Sequence, residues 1–303
     1  MEVSKLKKFI SMEDLNRTDI ERLIGLANKL KRKGVRKGTL PPFILGLLFF
    51  QESIRTQIGF QVATYRLGGE AFVLKETKFQ SSMSSAESIE DTLRVLQSYS
   101  DIICIRHPQD GILSNLLSSV KKPIINCGNG YDEHPSQTLI DLMAIKEFSH
   151  RIDGLSVAIV GDLRHMRSGH SLLLGLSKFS NITAHCISPK ILAMPDKYKT
   201  VFKKSKNILY ETDKLNLKNI DVVYMAGFAP NTPVKNFSKE VLKRYQINKS
   251  ILPQLKKSAV ILCPLPRIDE IALEIEETKF AKFFEQSELG LYMRMAIIVE
   301  LLR

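Results

Sequence analysis

Phe43-Ile44-Leu45-Gly46-Leu47-Leu48-Phe49-Phe50 leads without a break into Gln51-Glu52-Ser53-Ile54-Arg55-Thr56-Gln57. The apolar run, counting Gly46, has eight residues. That is far short of the roughly 20 that a membrane-spanning helix needs, and it suits a strand buried on both faces. The polar segment after it reads as the opening of a helix, where hydroxyls, a guanidinium and free backbone N–H groups together make an anion site. Taken alone, the segment is a weak signal, because Ser and Thr cap helices more often than they bind phosphate. A buried strand that ends in such a turn is the building unit of an open α/β sheet, whose ligands bind beyond the carboxyl ends of the strands.

Outward from this stretch the same alternation continues. Upstream, Ile20, Leu23, Ile24, Ala27 and Leu30 recur at helical spacing between Asn16 and Lys33, with Thr18 and Glu21 in capping-box register and Gly34 as a stop. Downstream, Ala71 to Leu74, Ile102 to Ile105 and Ile124 to Asn126 read as further strands, with helical patterning from Glu87 to Tyr99. A second series places strands at Ser156 to Val160, Thr183 to Ile187, Asp221 to Met225 and Ala259 to Leu262, with a helix over Ser168 to Phe179. Two successive sets of strands and helices predict two α/β domains with parallel sheets. The expected division is 1–134 together with a returning C-terminal helix, 290–303, against 135–289. The second part includes a crossing helix over 135–148.

The 303 residues, 44% hydrophobic and 25% charged, exclude a disordered or fibrous chain. The net charge of +12 raises nucleic acid as a partner. The basic residues, however, fall in short scattered groups such as Lys203, Lys204 and Lys206, without interleaved aromatics, and a solvated basic surface is the expectation. Met1-Glu2-Val3-Ser4-Lys5 has no apolar stretch of the signal-peptide kind, so a cytoplasmic address and no membrane partner are expected. Cys104, Cys127, Cys186 and Cys263 are widely spaced within or beside apolar runs and read as small buried hydrophobes.

Three more segments concentrate polar groups at predicted strand ends: Arg106-His107-Pro108, Asp132-Glu133-His134-Pro135-Ser136-Gln137-Thr138, and Cys263-Pro264-Leu265-Pro266-Arg267. Each has a plain structural alternative. A lone histidine is more often structural than catalytic, Pro135 suits a first helical position, and the paired prolines suit a rigid turn that leaves backbone carbonyls open.

Together these segments resemble, in content and order, the catalytic chain of the aspartate carbamoyltransferase family. The resemblance rests on Phe49 to Phe60, Ile105 to Pro108, His134 to Leu139, Val160 to Leu163 with Arg167 and His170-Ser171, and Pro264 to Glu270. The Ser-Met-Gly and His-Cys-Leu-Pro stretches of the ornithine-specific relatives are absent. The resemblance implies two α/β domains joined by crossing helices, assembled as a homotrimer with active sites between subunits and in some members joined to a regulatory chain. It implies transfer of a carbamoyl group from carbamoyl phosphate to aspartate, a step of pyrimidine biosynthesis, with no cofactor and no metal.

Residue by residue, Ser53, Arg55 and Thr56 match the family's phosphate loop. Arg106, Thr56 and His134 match the groups around the carbamoyl oxygen, which stabilise charge there as an amine attacks. Gln137 and the carbonyls of Pro264 and Leu265 match the groups that hold the carbamoyl nitrogen, and Arg167 matches the arginine that binds the acceptor's α-carboxylate. The sequence departs from the pattern elsewhere. Ile54 and Gln57 replace a threonine and an arginine, and Glu52 adds an acid beside them. Ser85 stands where relatives carry a loop lysine, Gly227 where they carry a second arginine, and Ala229 where they carry a glutamine. Losing a charged partner of a bound carboxylate costs about 2 to 5 kcal/mol. Lys75, Lys78, Arg164 and Lys235 are the candidate substitutes. Two alternatives therefore stay open: a carbamoyltransferase with a different amine acceptor, and a catalytically weak paralogue acting as a binding or regulatory subunit.

Overall fold

The computed structural model describes residues 8–34, 40–75, 88–116, 120–228 and 239–303. The chain divides into two compact units, Met1–Ser136 with Gly290–Arg303, and Gln137–Leu289.

In the first unit the order is β1 (Lys8–Phe9), α1 (Arg17–Lys33), β2 (Ile44–Phe49), α2 (Ile54–Arg66), β3 (Glu70–Lys75), α3 (Ile89–Leu96), β4 (Ile102–His107), α4 (Ile112–Leu116) and β5 (Ile124–Asn129), with α5 (Pro135–Ser149) carrying the chain onward. The sheet is ordered β1-β5-β4-β2-β3, and every pairing is parallel. Leu45, Leu47, Leu48 and Phe49 are buried, as a central parallel strand requires. Because β3 lies on one side of β2 and β4 on the other, the connections run in opposite directions from β2. The resulting crevice opens at the carboxyl ends of β2 and β4, beside α2 and Arg106. The Phe50 N–H donates to the Arg106 carbonyl at 2.9 Å and closes the ladder there.

The second unit repeats the plan with β6 (Ser156–Gly161), α6 (Arg167–Leu176), β7 (Thr183–Ile187), α7 (Asp196–Lys204), β8 (Ile208–Thr212), β9 (Val222–Gly227), α8 (Lys239–Lys243), β10 (Val260–Leu262) and α9 (Phe283–Leu302). Its parallel sheet is ordered β10-β9-β6-β7-β8. The crevice therefore lies between β6 and β9. There Gly161 has φ +131°, and a Cβ on it would stand 2.5 Å from the Gly227 carbonyl oxygen. Only glycine lets the strands part at this point while the Asp162 N–H donates to that same oxygen at 2.9 Å.

The expected α/β fold with two parallel sheets is present, and some local expectations are corrected. Helix α1 is capped by Asn16, not Thr18: the Asn16 side chain accepts the Asp19 N–H at 3.0 Å, and Asp19 accepts the Asn16 N–H at 3.2 Å. The earlier eligible residue takes the cap, and Glu21 pairs with Arg17 at 3.0 Å instead. Strands β1 and β8 were not foreseen. The first has two residues, and β8 is an edge strand with Ile208 and Tyr210 exposed, so neither makes a buried apolar run. The C-terminal helix starts at Phe283, well before Gly290. Its last part is held in the first unit by the buried Glu300, which lies 2.9 Å from Arg22. All four cysteines are buried, and none is in a disulfide.

Candidate active site

At the first unit's crevice Ser53 stands at the N-cap of α2, and its side chain makes no capping hydrogen bond. The Ser53 hydroxyl therefore does not cap α2, whose first-turn N–H groups are of the kind that bind anions. Arg55 is exposed, whereas Thr56, one residue on, is buried. Arg106, the next-to-last residue of β4, donates from Nη1 to the Cys127 carbonyl at 3.1 Å, while its buried Nε has no partner among the described residues. Burial, with the nearby Arg55 charge adding, pushes the Arg106 guanidinium down to about 10.

A third guanidinium belongs to this cluster. Arg294 of α9 is buried, faces the Phe60 ring at 5.7 Å and fits against Gly59, where a Cβ would come within 2.6 Å of its Nη1. Burial pushes it down to about 10 as well, Arg55 again contributes, and its Nε is unpartnered among the described residues. Neither Arg106 nor Arg294 has a carboxylate within ion-pair range among the described residues. Cations left without a carboxylate partner near a helix start have the chemistry to pair with a multiply charged anion. Sequence reading missed Arg294, although an arginine inside the apolar run from Leu289 to Leu302 was the available signal.

His134, buried just before α5, has Nδ1 3.2 Å from the Ser136 hydroxyl. In the second unit Gln137 donates from Nε2 to Asp141 Oδ1 at 2.8 Å. Asp162, fully buried after β6, shapes the loop into α6 by accepting the N–H groups of Arg164 at 3.2 Å and His165 at 3.1 Å. That loop sets Arg167, half-buried, as the first residue of α6. His170 braces it, donating from Nε2 to the Leu163 carbonyl at 2.7 Å and stacking on Tyr198. Pro264 and Leu265 follow β10, and Leu265 has φ 56°, a conformation that bulky residues rarely adopt.

The departures have mixed outcomes. Gly227 has φ +95°, and a Cβ there would meet Glu270 Oε1 at 3.2 Å. Glu270 is buried and held above its usual range chiefly by desolvation, so Gly227 stands beside a buried carboxyl group. Arg164 is exposed and donates from Nη1 to the Ile191 carbonyl at 3.5 Å. Ser85, Lys78, Ala229, Lys235 and the side chain of Lys75 lie outside the described residues. Glu52 is exposed.

Comparison with known proteins shows the family and the fold. Residues 7–147 match the family model described as aspartate/ornithine carbamoyltransferase, carbamoyl-P binding domain, and residues 153–301 match its Asp/Orn binding domain. The aspartate carbamoyltransferase catalytic subunits of Thermoplasma acidophilum and Methanocaldococcus jannaschii are 35% and 37% identical, each aligned over 98% of this chain and over 99% and 98% of their own lengths. Among solved structures, the catalytic subunit of M. jannaschii aspartate transcarbamoylase aligns with a TM-score of 0.87 at 36% identity, covering 97% of each chain. The Trypanosoma cruzi aspartate transcarbamoylase, in complex with carbamoyl phosphate and aspartate, aligns with a TM-score of 0.88 at 32% identity, covering 97% of this chain and 95% of its own. With two crevices of the same plan, one of them rich in guanidinium groups, and with similarity along its whole length, this chain belongs to the aspartate/ornithine carbamoyltransferase family.

Proposed function

We propose that the chain transfers the carbamoyl group of carbamoyl phosphate to the amino group of aspartate, giving N-carbamoylaspartate and phosphate. The observation that carries this is the set of Arg55, Arg106 and Arg294 around the start of α2, with Arg106 half-buried and Arg294 buried, neither having a carboxylate partner among the described residues. In this proposal Ser53, Arg55 and the first N–H groups of α2 hold the phosphate. Arg106, Thr56 and His134 stabilise the oxygen of the tetrahedral adduct that forms when the amine attacks the carbamoyl carbon. Gln137 and the carbonyls of Pro264 and Leu265 accept hydrogen bonds from the carbamoyl NH2, and Arg167 holds the α-carboxylate of the acceptor. Positioning and electrostatics supply the rate, and phosphate leaves as the adduct collapses. Unit Met1–Ser136 is then the carbamoyl phosphate unit and Gln137–Leu289 the amino-acid unit. A homotrimer in the cytoplasm, with or without a regulatory chain, completes the proposal. It is in keeping with helices none of which, among the described residues, is long and apolar enough to cross a membrane.

One observation favours a second reading, an acceptor that lacks a second carboxylate: Gly227 faces the Glu270 carboxylate where a cation would be needed. The test is turnover by purified chain with carbamoyl phosphate and aspartate, followed by a panel of amines. Production of N-carbamoylaspartate supports the proposal, whereas turnover with another amine alone supports the second reading. Carbamoyl phosphate binding without any turnover, or no binding at all, refutes both.

A further inference from the structure

Asp141 lies one helical turn after Gln137 on α5, fully buried inside the apolar stretch Leu139 to Ile145. Its Oδ1 accepts Nε2 of Gln137 at 2.8 Å and Nε2 of Gln286, from α9, at 2.6 Å. Its Oδ2 accepts the Tyr224 hydroxyl of β9 at 2.8 Å. The Gln286 amide continues the chain, its Oε1 accepting the Cys263 N–H at 2.9 Å, immediately before Pro264 and Leu265. Tyr224, Gln286 and Cys263 are all buried. No cation faces Asp141 in this network, and burial raises its carboxyl to about 7 although all three donors pull it down. A carboxylate set this deep is expensive for the fold, so its place next to Gln137 calls for a role.

An ionised carboxylate only accepts hydrogen bonds, so both glutamines must turn their NH2 groups toward Asp141 and their oxygens away. For Gln286 the consequence is visible in the bond from the Cys263 N–H. For Gln137 the same constraint leaves Oε1 as the outward atom, an acceptor. We propose that Asp141 is the positioning residue of the carbamoyl-nitrogen site, orienting the Gln137 amide directly and, through Gln286, fixing the chain at Cys263 that carries the Pro264 and Leu265 carbonyls. Without it the Gln137 amide can rotate and present a donor to the substrate NH2, itself a donor. The inference rests on the proposed carbamoyl phosphate chemistry and adds a residue through which both sets of acceptors are held.

The test compares wild type, Asp141→Asn and Asp141→Leu in kcat/KM for carbamoyl phosphate, alongside calorimetric binding of inorganic phosphate, which does not need acceptors for a carbamoyl nitrogen. Asparagine keeps one oxygen that can face both glutamines and should stay within about tenfold of wild type. Leucine offers no acceptor and should lose about a hundredfold or more, while its inorganic phosphate affinity stays within about twofold of wild type. Should Asp141→Leu not fold, Asp141→Ser, whose space can admit a water, takes its place in the comparison. Equal losses for inorganic phosphate and carbamoyl phosphate would reduce Asp141 to a structural role. An Asn variant as poor as the Leu variant, or a Leu variant as good as wild type, would also overturn the inference. If wild type neither binds nor turns over carbamoyl phosphate, the proposed function fails instead, and that outcome is read from the wild-type arm alone.

Discussion

Replacing Arg106 with methionine should make the empty protein no less stable while nearly abolishing its chemistry. Burial lowers the Arg106 guanidinium well below its ordinary value, to about 10, which corresponds to roughly 3 kcal/mol of unfavourable energy for the charged form in the fold. The cost is fully present at every pH below about 10 and fades only as the pH rises from there towards the ordinary arginine value, so it applies throughout the neutral range. Methionine follows much of the same path and carries no charge. The change removes the 3.1 Å hydrogen bond to the Cys127 carbonyl, a loss of about 1 to 3 kcal/mol. The balance lies between about 0 and 2 kcal/mol in favour of Arg106→Met, a Tm unchanged or up to roughly 6 °C higher in thermal unfolding without ligand. With carbamoyl phosphate and acceptor, loss of a donor to the developing oxyanion should lower kcat by about a hundredfold to a thousandfold. A ligand-free Tm several degrees below that of wild type would show that the cation is satisfied within the fold. Unchanged kcat would remove Arg106 from the chemistry. Either result refutes the view that this charge is held at the fold's expense for an anionic ligand.

Two further outcomes are expected. Gly161→Ala places a methyl 2.5 Å from the Gly227 carbonyl oxygen at φ +131°, so chemical denaturation should report a loss of about 3 kcal/mol or more, and a variant within about 1 kcal/mol of wild type would refute the close approach of β6 and β9. For Asp141 the folded carboxyl sits near 7 against an ordinary 3.8, so protonation favours the fold. Its contribution to stability is fully present below about 3.8 and is lost as the pH rises through about 7. The stability difference between Asp141→Asn and wild type, followed by denaturant unfolding, should therefore shift in favour of the variant over that window, and a flat difference would place the carboxyl's pKa near its ordinary value.

How much was legible beforehand follows from the range of each interaction. Strands with a long apolar run, such as Ile44–Phe49 and Ser156–Gly161, could be located within a residue or so, because burial on both faces leaves a local mark. Edge strand β8 left none, since its exposed Ile208 and Tyr210 do not form a continuous run. The helix start after Phe50 was readable, but whether Ser53 caps it or leaves its hydroxyl open was not, because that is a matter of a side chain's hydrogen bond. Arg294 was passed over because a single arginine in an apolar helix says nothing of the Phe60 and Gly59 surface it covers.

The amino-acid order by itself determined the repeated strand–helix alternation, the polar segments at strand ends and the family pattern they form, since each is written in a few neighbouring residues. Only the tertiary structure decided the strand orders that open a crevice at β2/β4 and at β6/β9, and the gathering of Arg55, Arg106 and Arg294. It also decided the meeting of Asp141 with Tyr224, 83 residues away, and with Gln286, 145 residues away. Such contacts carry no local periodicity. They exist because burial excludes water, and every buried polar group must then find its partner wherever the folded chain brings one within reach.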